Sequence, residues 1–441
     1  MPQASRHGSS RARERVARQG TPVRRTYLGR ENPRNWVRIF QVKHPKKVLI
    51  LSTSAGTGHL RAAAALEKSC HEIPGIAEVA HVDALAFTNK LFRDFYSKLY
   101  IKLVQDAPTL LGWWYEKSDE PWKTDRMRLL LDRLNTRPLV RLLAKMQPDI
   151  TVCTHFMPAE IISHLITQKA IQAKLSIVVT DFDFHAMWLS RAFHRYFVAL
   201  DETKAYLTAL GLPGDRITVS GIPVDPEFGK NRDQPALRQK LGLRADCPVI
   251  VVSAGALGVN PAEQVVKSLR QMSQRAQVVV ISGKNPEAKA RVEAELAKTV
   301  ESPGKAEFRV LGYVDDMPSW MGAADLLVSK PGGMTSAEAM ASGLPMVIYD
   351  PIPGQEERNS DQLLEKGVAI KCNEISILGY KVSKLLADPG RLETMRQAAR
   401  RMGNPQAAAM VVQTLIAEQE HEPVEVHPDQ QEAMAETARK K

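Results

Sequence analysis

Cysteine is scarce in this sequence, and long apolar runs are missing from it. The 441 residues include only four cysteines, none at the spacing of a zinc site or a CxxC motif: Cys70, Cys153, Cys247 and Cys372. No run of eighteen uncharged apolar residues occurs, so no transmembrane helix is expected. The first residues also lack the apolar core of a secretory signal. These absences predict a cytosolic protein with reduced thiols.

Acidic residues are nearly missing from the first 44 residues, which contain eleven arginines and lysines but only Glu14 and Glu31. This segment therefore carries +9 of the chain's net charge of +11. Because it is polar and shows little apolar periodicity, residues 1–45 are predicted to form a disordered basic tail. No aromatic stacking motif accompanies the basic residues, so nucleic acid is not the expected partner. An anionic membrane surface is favoured, and a solvated tail without a partner stays open.

The rest of the chain alternates between apolar runs of strand length and helical segments. This alternation is typical of the α/β class with parallel sheets, and the length fits two domains rather than one. The predicted strands are 48–52, 77–82, 147–153, 175–180, 195–200, 249–254, 277–282, 308–312, 325–329 and 346–349. We predict Rossmann-like domains at 46–222 and 223–390, a helix at 391–420 and a polar tail at 421–441.

The segment Ser329–Glu357 (SKPGGMTSAEAMASGLPMVIYDPIPGQEE) carries the clearest chemical pattern in the chain. After a strand-like run, Gly332 and Gly333 break the chain, and a helix of good formers follows. Thr335 or Ser336 is predicted to cap this helix. Free N–H groups and the positive end of the helix dipole make such a start a site for phosphate. We therefore predict that a diphosphate binds here.

Three further polar residues of this segment fit the rest of a nucleotide-sugar. Glu338 stands one turn into the helix, where a carboxylate accepts hydrogen bonds from ribose hydroxyls. Gln355 and Glu356 follow the next predicted strand, at the edge where open α/β sheets bind ligands. An amide and an acid there suit sugar hydroxyls. The pattern predicts a nucleotide-sugar donor, and an ordinary Rossmann-like turn is the alternative.

Four motifs resemble one known family. The run KPGGMTSAEAMASGLPMVIYDPIPGQEERN is similar to the donor segment of the monogalactosyldiacylglycerol synthase and processive diacylglycerol glucosyltransferase group, in glycosyltransferase family 28. TSAGTGH, TDFDFHAMW and SGIPVDPEF resemble that group's glycine-rich loop, its TDFxxH-W stretch and its TGIPV linker. The resemblance extends from Val48 to about Ala369.

This resemblance implies the GT-B architecture, with two Rossmann-like domains facing across a cleft and a C-terminal helix crossing back. It implies an inverting enzyme that moves glucose or galactose from a UDP-hexose to diacylglycerol or a related lipid hydroxyl, making a glycolipid. No metal or other cofactor is expected. A peptidoglycan-type UDP-N-acetylglucosamine transferase with a polyprenyl-linked acceptor and a UDP-sugar 2-epimerase are the alternatives. A basic binding protein that has lost catalysis is a third.

His59 is the candidate catalytic base. Gly56 and Gly58 relax the backbone before it, and it stands at a helix start after the first predicted strand. A histidine with a pKa near 6.5 accepts a proton at neutral pH, and the family's matching histidine is the presumed catalytic residue. His59 is expected to deprotonate the acceptor hydroxyl, with both glycines on the acceptor side. A core or capping histidine is the alternative.

Asp181 and Asp183 form a DxD pattern, which holds a divalent metal in other glycosyltransferases. They lie in the first predicted domain, remote in sequence from the donor segment, and nothing nearby completes a set of oxygen ligands. We expect Asp181 to orient His59 or an acceptor hydroxyl, and Asp183 to lie on the acceptor side. His185 and Trp188 are expected to line the acceptor pocket by resemblance only.

The aromatic and basic segment Phe87–Trp122 predicts a membrane contact. Apolar residues recur there at helical spacing between lysines and arginines, and three tryptophans follow within ten residues. A helix packed on its own domain is the alternative. We expect Trp113 and Trp114 to contact the membrane that holds the acceptor. The protein is then expected to be cytoplasmic and peripheral on the inner face of the cell membrane.

One loop departs from the family pattern. SAGALG (Ser253–Gly258) stands where the family has a glycine-richer loop near the donor, and Gly255 is expected to bind the donor. The departure leaves the choice between glucose and galactose open. The number of sugars added and the oligomeric state have no signal in the sequence.

Overall fold

The structure is a computed structural model that describes residues 45–54, 56–88, 108–119, 137–230, 233–255, 261–299 and 305–426. The basic tail, the predicted interfacial helix beyond Thr88, Trp122 and most of the polar C-terminal tail lie outside these residues.

The first domain is built on a parallel sheet with the strand order β2-β1-β3-β4-β6-β7. Its core strands are buried apolar runs, as expected of a sheet covered on both faces. The elements are β1 (Lys46–Ser52), α1 (Thr57–Glu72), β2 (Ile76–Asp83), α2 (Pro108–Ser118), α3 (Arg137–Met146), β3 (Ile150–Cys153), α4 (Phe156–Thr167), β4 (Leu175–Val178), β5 (Ala192–Phe193), β6 (Arg195–Val198), α5 (Asp201–Ala209) and β7 (Ile217–Val219).

The second domain repeats the plan with the strand order β10-β9-β8-β11-β12-β13, again all parallel. Its elements are α6 (Gln234–Leu241), β8 (Val249–Ser253), α7 (Ala262–Leu269), β9 (Ala276–Ile281), α8 (Pro286–Ala297), β10 (Ala306–Leu311), α9 (Met317–Ala323), β11 (Leu326–Ser329), α10 (Gly333–Ala341), β12 (Met346–Tyr349), α11 (Gln355–Glu365), β13 (Ala369–Cys372) and α12 (Leu378–Leu386). The predicted α/β class with two Rossmann-like sheets is confirmed.

Both sheets reverse their strand order beside their first strand, between β1 and β3 and between β8 and β11. Open α/β sheets bind ligands at the carboxyl ends of the strands that flank such a reversal. In the first domain α1 begins at this point, and in the second domain α10 begins there. The topology therefore brings His59 and the tandem glycines to the two places where ligands are expected.

Two last helices return the chain to the first domain: α13 (Pro389–Met402) and α14 (Ala407–Ala417). α14 buries Val411, Val412 and Leu415 against β1, α1 and β3. Between these helices, the Asn404 amide donates to the Ser220 carbonyl at 2.8 Å. The chain passes between the domains twice, once after β7 and once between α13 and α14. This hydrogen bond joins the two crossing segments.

A short strand corrects the loose polar tail expected from residue 421. β14 (Val424–Glu425) pairs antiparallel with β5. Val426 is buried in the core of the first domain, and Val424 packs against the same core. Two valines are too few to make an apolar pattern in the sequence, which is why the strand was not predicted.

Candidate active site

His59 lies at the start of α1 with its ring turned toward the ends of β3 and β4. Its Nδ1 lies 2.9 Å from the carbonyl oxygen of Thr154 and 2.9 Å from the hydroxyl of Thr180. Because a carbonyl oxygen only accepts, Nδ1 carries the proton and shares it between these two oxygens. The neutral ring therefore leaves Nε2 as the unprotonated nitrogen.

The surroundings of His59 favour its neutral form. The His155 ring meets it edge-on with centroids 4.5 Å apart, and the Trp188 ring lies at 6.4 Å. Loss of solvation lowers the pKa of His59 to about 4, although the hydrogen bond to Thr154 opposes the shift. His59 is therefore a base, not an acid, at neutral pH. Burial also lowers the pKa of His155.

Asp181 contacts the second domain instead of His59. Its buried carboxylate accepts from the Gln355 amide at 2.6 Å and from the Asn359 amide at 3.4 Å. Burial raises the pKa of Asp181 to about 6, against the effect of these two bonds. Asp181 was expected to orient His59 or the hydroxyl of the acceptor substrate. In the structure the side chain that contacts the His59 ring is that of Thr180, not that of Asp181. Asp181 joins the two domains in this structure.

The tandem glycines end at the N-terminus of α10, as predicted, but the predicted cap is wrong. The N-cap is Gly332, and the helix begins at Gly333. Thr335 lies within the first turn, and the Ser336 N–H already makes the helical bond to the Gly332 carbonyl at 3.0 Å. A glycine cap leaves the first N–H groups without a side chain over them.

The start of α10 packs directly on the first domain. A Cβ added to Gly333 would lie 2.2 Å from the Thr180 carbonyl oxygen, and one added to Gly58 would lie 3.3 Å from the Met334 side chain. Only glycine permits the first of these contacts. The loop that carries His59 and the helix N-terminus that is predicted to hold a diphosphate therefore meet across the domain boundary.

Glu338 is 2% exposed and forms an ion pair with Arg61 of α1. Its Oε1 contacts the guanidinium, whereas its Oε2 has no hydrogen-bond partner among the described residues. Burial raises the pKa of Glu338 to about 7, and the charge of Arg61 opposes the rise. The predicted ribose-binding carboxylate therefore has one oxygen paired with Arg61 and one oxygen that is buried without a partner among the described residues.

Gln355 and Glu356 follow β12, as expected, and open α11. The Glu356 carboxylate accepts from the Ile352 N–H at 2.8 Å, and its Oε1 lies 3.5 Å from a Cβ position on Gly332. Burial raises the pKa of Glu356 to about 7. Glu356 thus lies beside the start of α10, where it was predicted to bind the sugar hydroxyls. The Gln355 amide instead donates a hydrogen bond to Asp181.

The predicted acceptor residues belong to a second group of contacts. His185 donates from Nε2 to the Tyr115 carbonyl at 2.9 Å, and Asp183 lies 3.8 Å from the Arg358 guanidinium. Trp188 is 3% exposed and lies near His59 as described, while Gly56 caps α1. Asp183 and His185 therefore connect α2 to α11, and Trp188 packs near the ring of His59.

The helix α2 presents apolar side chains to solvent. Trp113 is 57% exposed and Leu110 is 55% exposed. The opposite side of α2 packs on the donor loop, because a Cβ on Gly112 would lie 2.6 Å from Pro353. The side chain of Trp114 lies outside the described part of the structure. Gly255 lies two residues after the end of β8 and has a φ of 76°, and its N–H lies 3.4 Å from the Ser253 hydroxyl.

Several residues of this site were missed by sequence reasoning. Thr180 and Asn359 stand in motifs that the sequence analysis identified. Their place near the site was therefore predictable, but their contacts with His59 and Asp181 were not. Arg61 pairs with a residue 277 positions away, which only the fold reveals. Tyr313, which follows β10 at the same edge of the second sheet, is 52% exposed. An exposed aromatic ring there suits a nucleobase.

Two features of the described residues bear on a metal cofactor and on a membrane span. No group of three or more histidine, cysteine, aspartate or glutamate side chains is arranged to hold a metal ion. None of the helices in the described ranges has both the length and the hydropathy needed to cross a membrane. The four cysteines are all buried and free.

Two known protein families match the chain, one over each of the two domains. The family model "Monogalactosyldiacylglycerol (MGDG) synthase" matches residues 59–224, and "Glycosyl transferases group 1" matches residues 233–402. A processive diacylglycerol beta-glucosyltransferase of Bacillus mycoides is 29% identical over 383 residues, covering 87% of this chain and 96% of the relative. The Bacillus cytotoxicus protein of the same name is 29% identical over 377 residues, covering 86% and 95%.

Solved structures share the fold at low identity. MurG of Acinetobacter baumannii superposes with a TM-score of 0.55 at 17% identity, covering 84% of this chain and 99% of that protein. The MnaA–UDP structure of S. aureus gives a TM-score of 0.55 at 14% identity, covering 86% and 99%. At these identities the likeness shows the two-domain GT-B fold alone.

Proposed function

This chain belongs to the glycosyltransferase group of the monogalactosyldiacylglycerol synthases and processive diacylglycerol glucosyltransferases, and we propose that it moves glucose or galactose from a UDP-sugar to diacylglycerol or a similar lipid hydroxyl. The observation that carries the proposal is the meeting of the His59 loop with the start of α10. A base with a free nitrogen and a helix end suited to anions come together there, as transfer from a diphosphate leaving group requires.

In the proposed reaction, Nε2 of His59 takes the proton as the lipid hydroxyl oxygen attacks the anomeric carbon. The bond from that carbon to the phosphate oxygen breaks, and UDP leaves from the opposite face, which inverts the configuration. The N–H groups at Gly333 stabilise the charge on the departing diphosphate. The donor's own negative charge offsets the low pKa of His59, because a nearby anion favours imidazolium.

The donor contacts follow from the carboxylates at the boundary. Oε2 of Glu338 accepts from the ribose, and Glu356 reads sugar hydroxyls beside the start of α10. Gln355 exchanges its bond to Asp181 for a bond to the sugar. The exposed ring of Tyr313 offers a face to the uracil, since bases stack on aromatic side chains.

We propose that the reaction needs no metal or other cofactor. Asp181 of the DxD pattern accepts from two amides, and Asp183 faces Arg358. Neither carboxylate therefore presents a set of oxygens to a donor diphosphate, and the helix end supplies the positive potential instead.

Product analysis tests this function. The protein is incubated with labelled UDP-glucose, UDP-galactose or UDP-N-acetylglucosamine and diacylglycerol vesicles, with and without a chelator. We expect a hexose-bearing lipid by mass spectrometry, with unchanged yield in the chelator. Transfer of N-acetylglucosamine to a polyprenyl-linked acceptor alone, or epimerisation of the donor without a lipid, would replace the proposal with one of its alternatives.

We further propose that α2 holds the protein on the inner face of the cell membrane, with the basic segment 1–44 aiding contact with anionic lipid. Trp113 and Leu110 on α2 are exposed while its other side packs on the donor loop. Aromatic side chains favour the membrane interface. This placement brings a lipid hydroxyl close to the site without a transmembrane segment.

Replacing Trp113 by alanine is expected to weaken vesicle binding roughly thirtyfold, because burying the exposed part of an indole contributes about 2 kcal/mol. Co-sedimentation with phosphatidylglycerol-containing vesicles measures the effect. Tyr380→Ala is the matched control, since Tyr380 of α12 is 63% exposed in the second domain. Equal losses in both variants would contradict a specific contact through α2.

A further inference from the structure

Arg61 reaches the donor side of the boundary from the first domain. It stands two residues after His59 on α1, and its guanidinium contacts Oε1 of Glu338 on α10. Lys68 lies seven residues further on the same face of α1 and pairs with Asp225 at 2.8 Å. The Lys68 pair thus gives α1 a second link near the same boundary, without contact to Glu338.

The burial of Glu338 makes its partner important. Glu338 is 2% exposed, and its chain neighbours Ala337 and Ala339 belong to a buried apolar cluster that also includes Ala62 and Met334. An ionised carboxylate in such surroundings is costly unless it is paired. The charged groups that act on Glu338 are Arg61 from α1 and Asp225 from the segment after β7, and Asp225 opposes ionisation. Arg61 therefore supplies the cation that favours the ionised form of Glu338 against the effect of burial.

We propose that Arg61 is a positioning residue for the nucleotide: by holding Oε1, it keeps Glu338 ionised and turns Oε2 toward the ribose diol. The inference rests on the proposed function and deepens it. An ionised oxygen accepts from hydroxyls, whereas a protonated carboxyl loses part of that capacity. Because Arg61 and Glu338 belong to different domains, the ribose contact is complete only when the domains are closed. Arg61 thereby links donor affinity to closure.

The test is the pH dependence of donor binding in the full-length protein. UDP-glucose and UDP-galactose are titrated calorimetrically between pH 6 and 9, since their diphosphates have no group that titrates there. In Arg61→Gln the pKa of Glu338 is expected to rise by about one to three units, the usual effect of losing an adjacent opposite charge. From a value of about 7, this lowers affinity at least about fivefold at pH 7. Affinity recovers toward pH 9.

Three comparisons separate this role from a structural one. Arg61→Lys keeps the charge and is expected to keep the wild-type profile. Lys68→Met breaks the other α1 ion pair. It is expected to leave the pH at which donor affinity falls unchanged. In a Glu338→Gln background, Arg61→Gln is expected to leave the profile unchanged, although Glu356 still titrates. This last pair also decides the matter if Arg61→Gln alone fails to fold, because a shifted profile there overturns the inference.

The outcomes also separate this inference from the proposed function. If the wild type binds neither UDP-sugar, the proposed function fails. If the wild type binds one of them and Arg61→Gln has a parallel profile, only the role of Arg61 fails. The same conclusion follows if Lys68→Met reproduces the shift, because closure of the domains would then explain it.

Discussion

Replacing His59 by alanine is expected to lower kcat for sugar transfer by about 10²–10⁴, the usual contribution of a positioned base. The affinity for UDP should stay almost unchanged, because the ring contacts Thr154 and Thr180 of the first domain and the donor is proposed to bind the second. Initial rates with diacylglycerol vesicles and calorimetric titration with UDP measure the two quantities separately.

Glu338→Ala provides the opposite pattern to His59→Ala. It removes the carboxylate proposed to hold the ribose, so UDP affinity should fall with a smaller effect on the bound donor's reaction. Equal loss of transfer and UDP affinity in both variants would contradict this division. Activity of His59→Ala near the wild-type level would remove His59 as the base.

Gly333→Ala is expected to lower kcat about a hundredfold, the scale on which small misplacements of reacting groups act. The added Cβ would lie 2.2 Å from the backbone carbonyl of Thr180. Neither side of this contact is a flexible side chain, so the first turn of α10 must move away from the backbone at Thr180, whose hydroxyl contacts His59. Steady-state kinetics with saturating donor checks the expectation.

Gly390→Ala is the control for the Gly333 variant. A Cβ at Gly390 meets its nearest neighbour, an oxygen of Asp388, at 3.6 Å, which is an ordinary contact. Its activity should equal that of the wild type. Thermal unfolding of both variants shows whether a loss is local. Full activity of Gly333→Ala would mean that the reacting complex does not use this close approach.

Local patterns were sufficient to predict most strands of both sheets. The run at residues 346–349, for example, was predicted with the bounds that β12 has. Strands without an apolar run were missed: β7 is three residues long, and β13 is only half buried. Short segments of this kind become strands because a neighbour offers a free edge, which the sequence of the strand itself does not record.

The chemistry of the site was predictable by position, but its contacts were not. His59 and Glu338 stand on helices that directly follow predicted strands, at the edge where parallel sheets gather functional groups. The partner of His59 is Thr180, 121 residues away, and not the adjacent Asp181. Neighbours on an extended chain point to opposite sides, so a one-residue difference directs one side chain into the first domain and the other toward the second.

The helix start was also misassigned by one turn, for a physical reason. Thr335 and Ser336 are good capping residues in general, but Gly332 adopts the extended conformation of a cap, with φ −61° and ψ 140°. The missing side chain of the next residue, Gly333, lets the backbone lie against the Thr180 carbonyl of the first domain. Here tertiary packing, and not capping preference, decides where α10 begins.

The paired chain crossings at Ser220 and Asn404 bear on how the two lobes can swing apart. Because the two chain crossings are joined by a hydrogen bond at one place, we expect the lobes to open about a hinge there. Opening to admit a donor is then expected to be a hinge rotation of one domain. Each closure of the domains would bring His59 and the start of α10 back into the same alignment. An enzyme that adds sugars repeatedly would then re-form its site after every cycle without sampling other arrangements of the two domains.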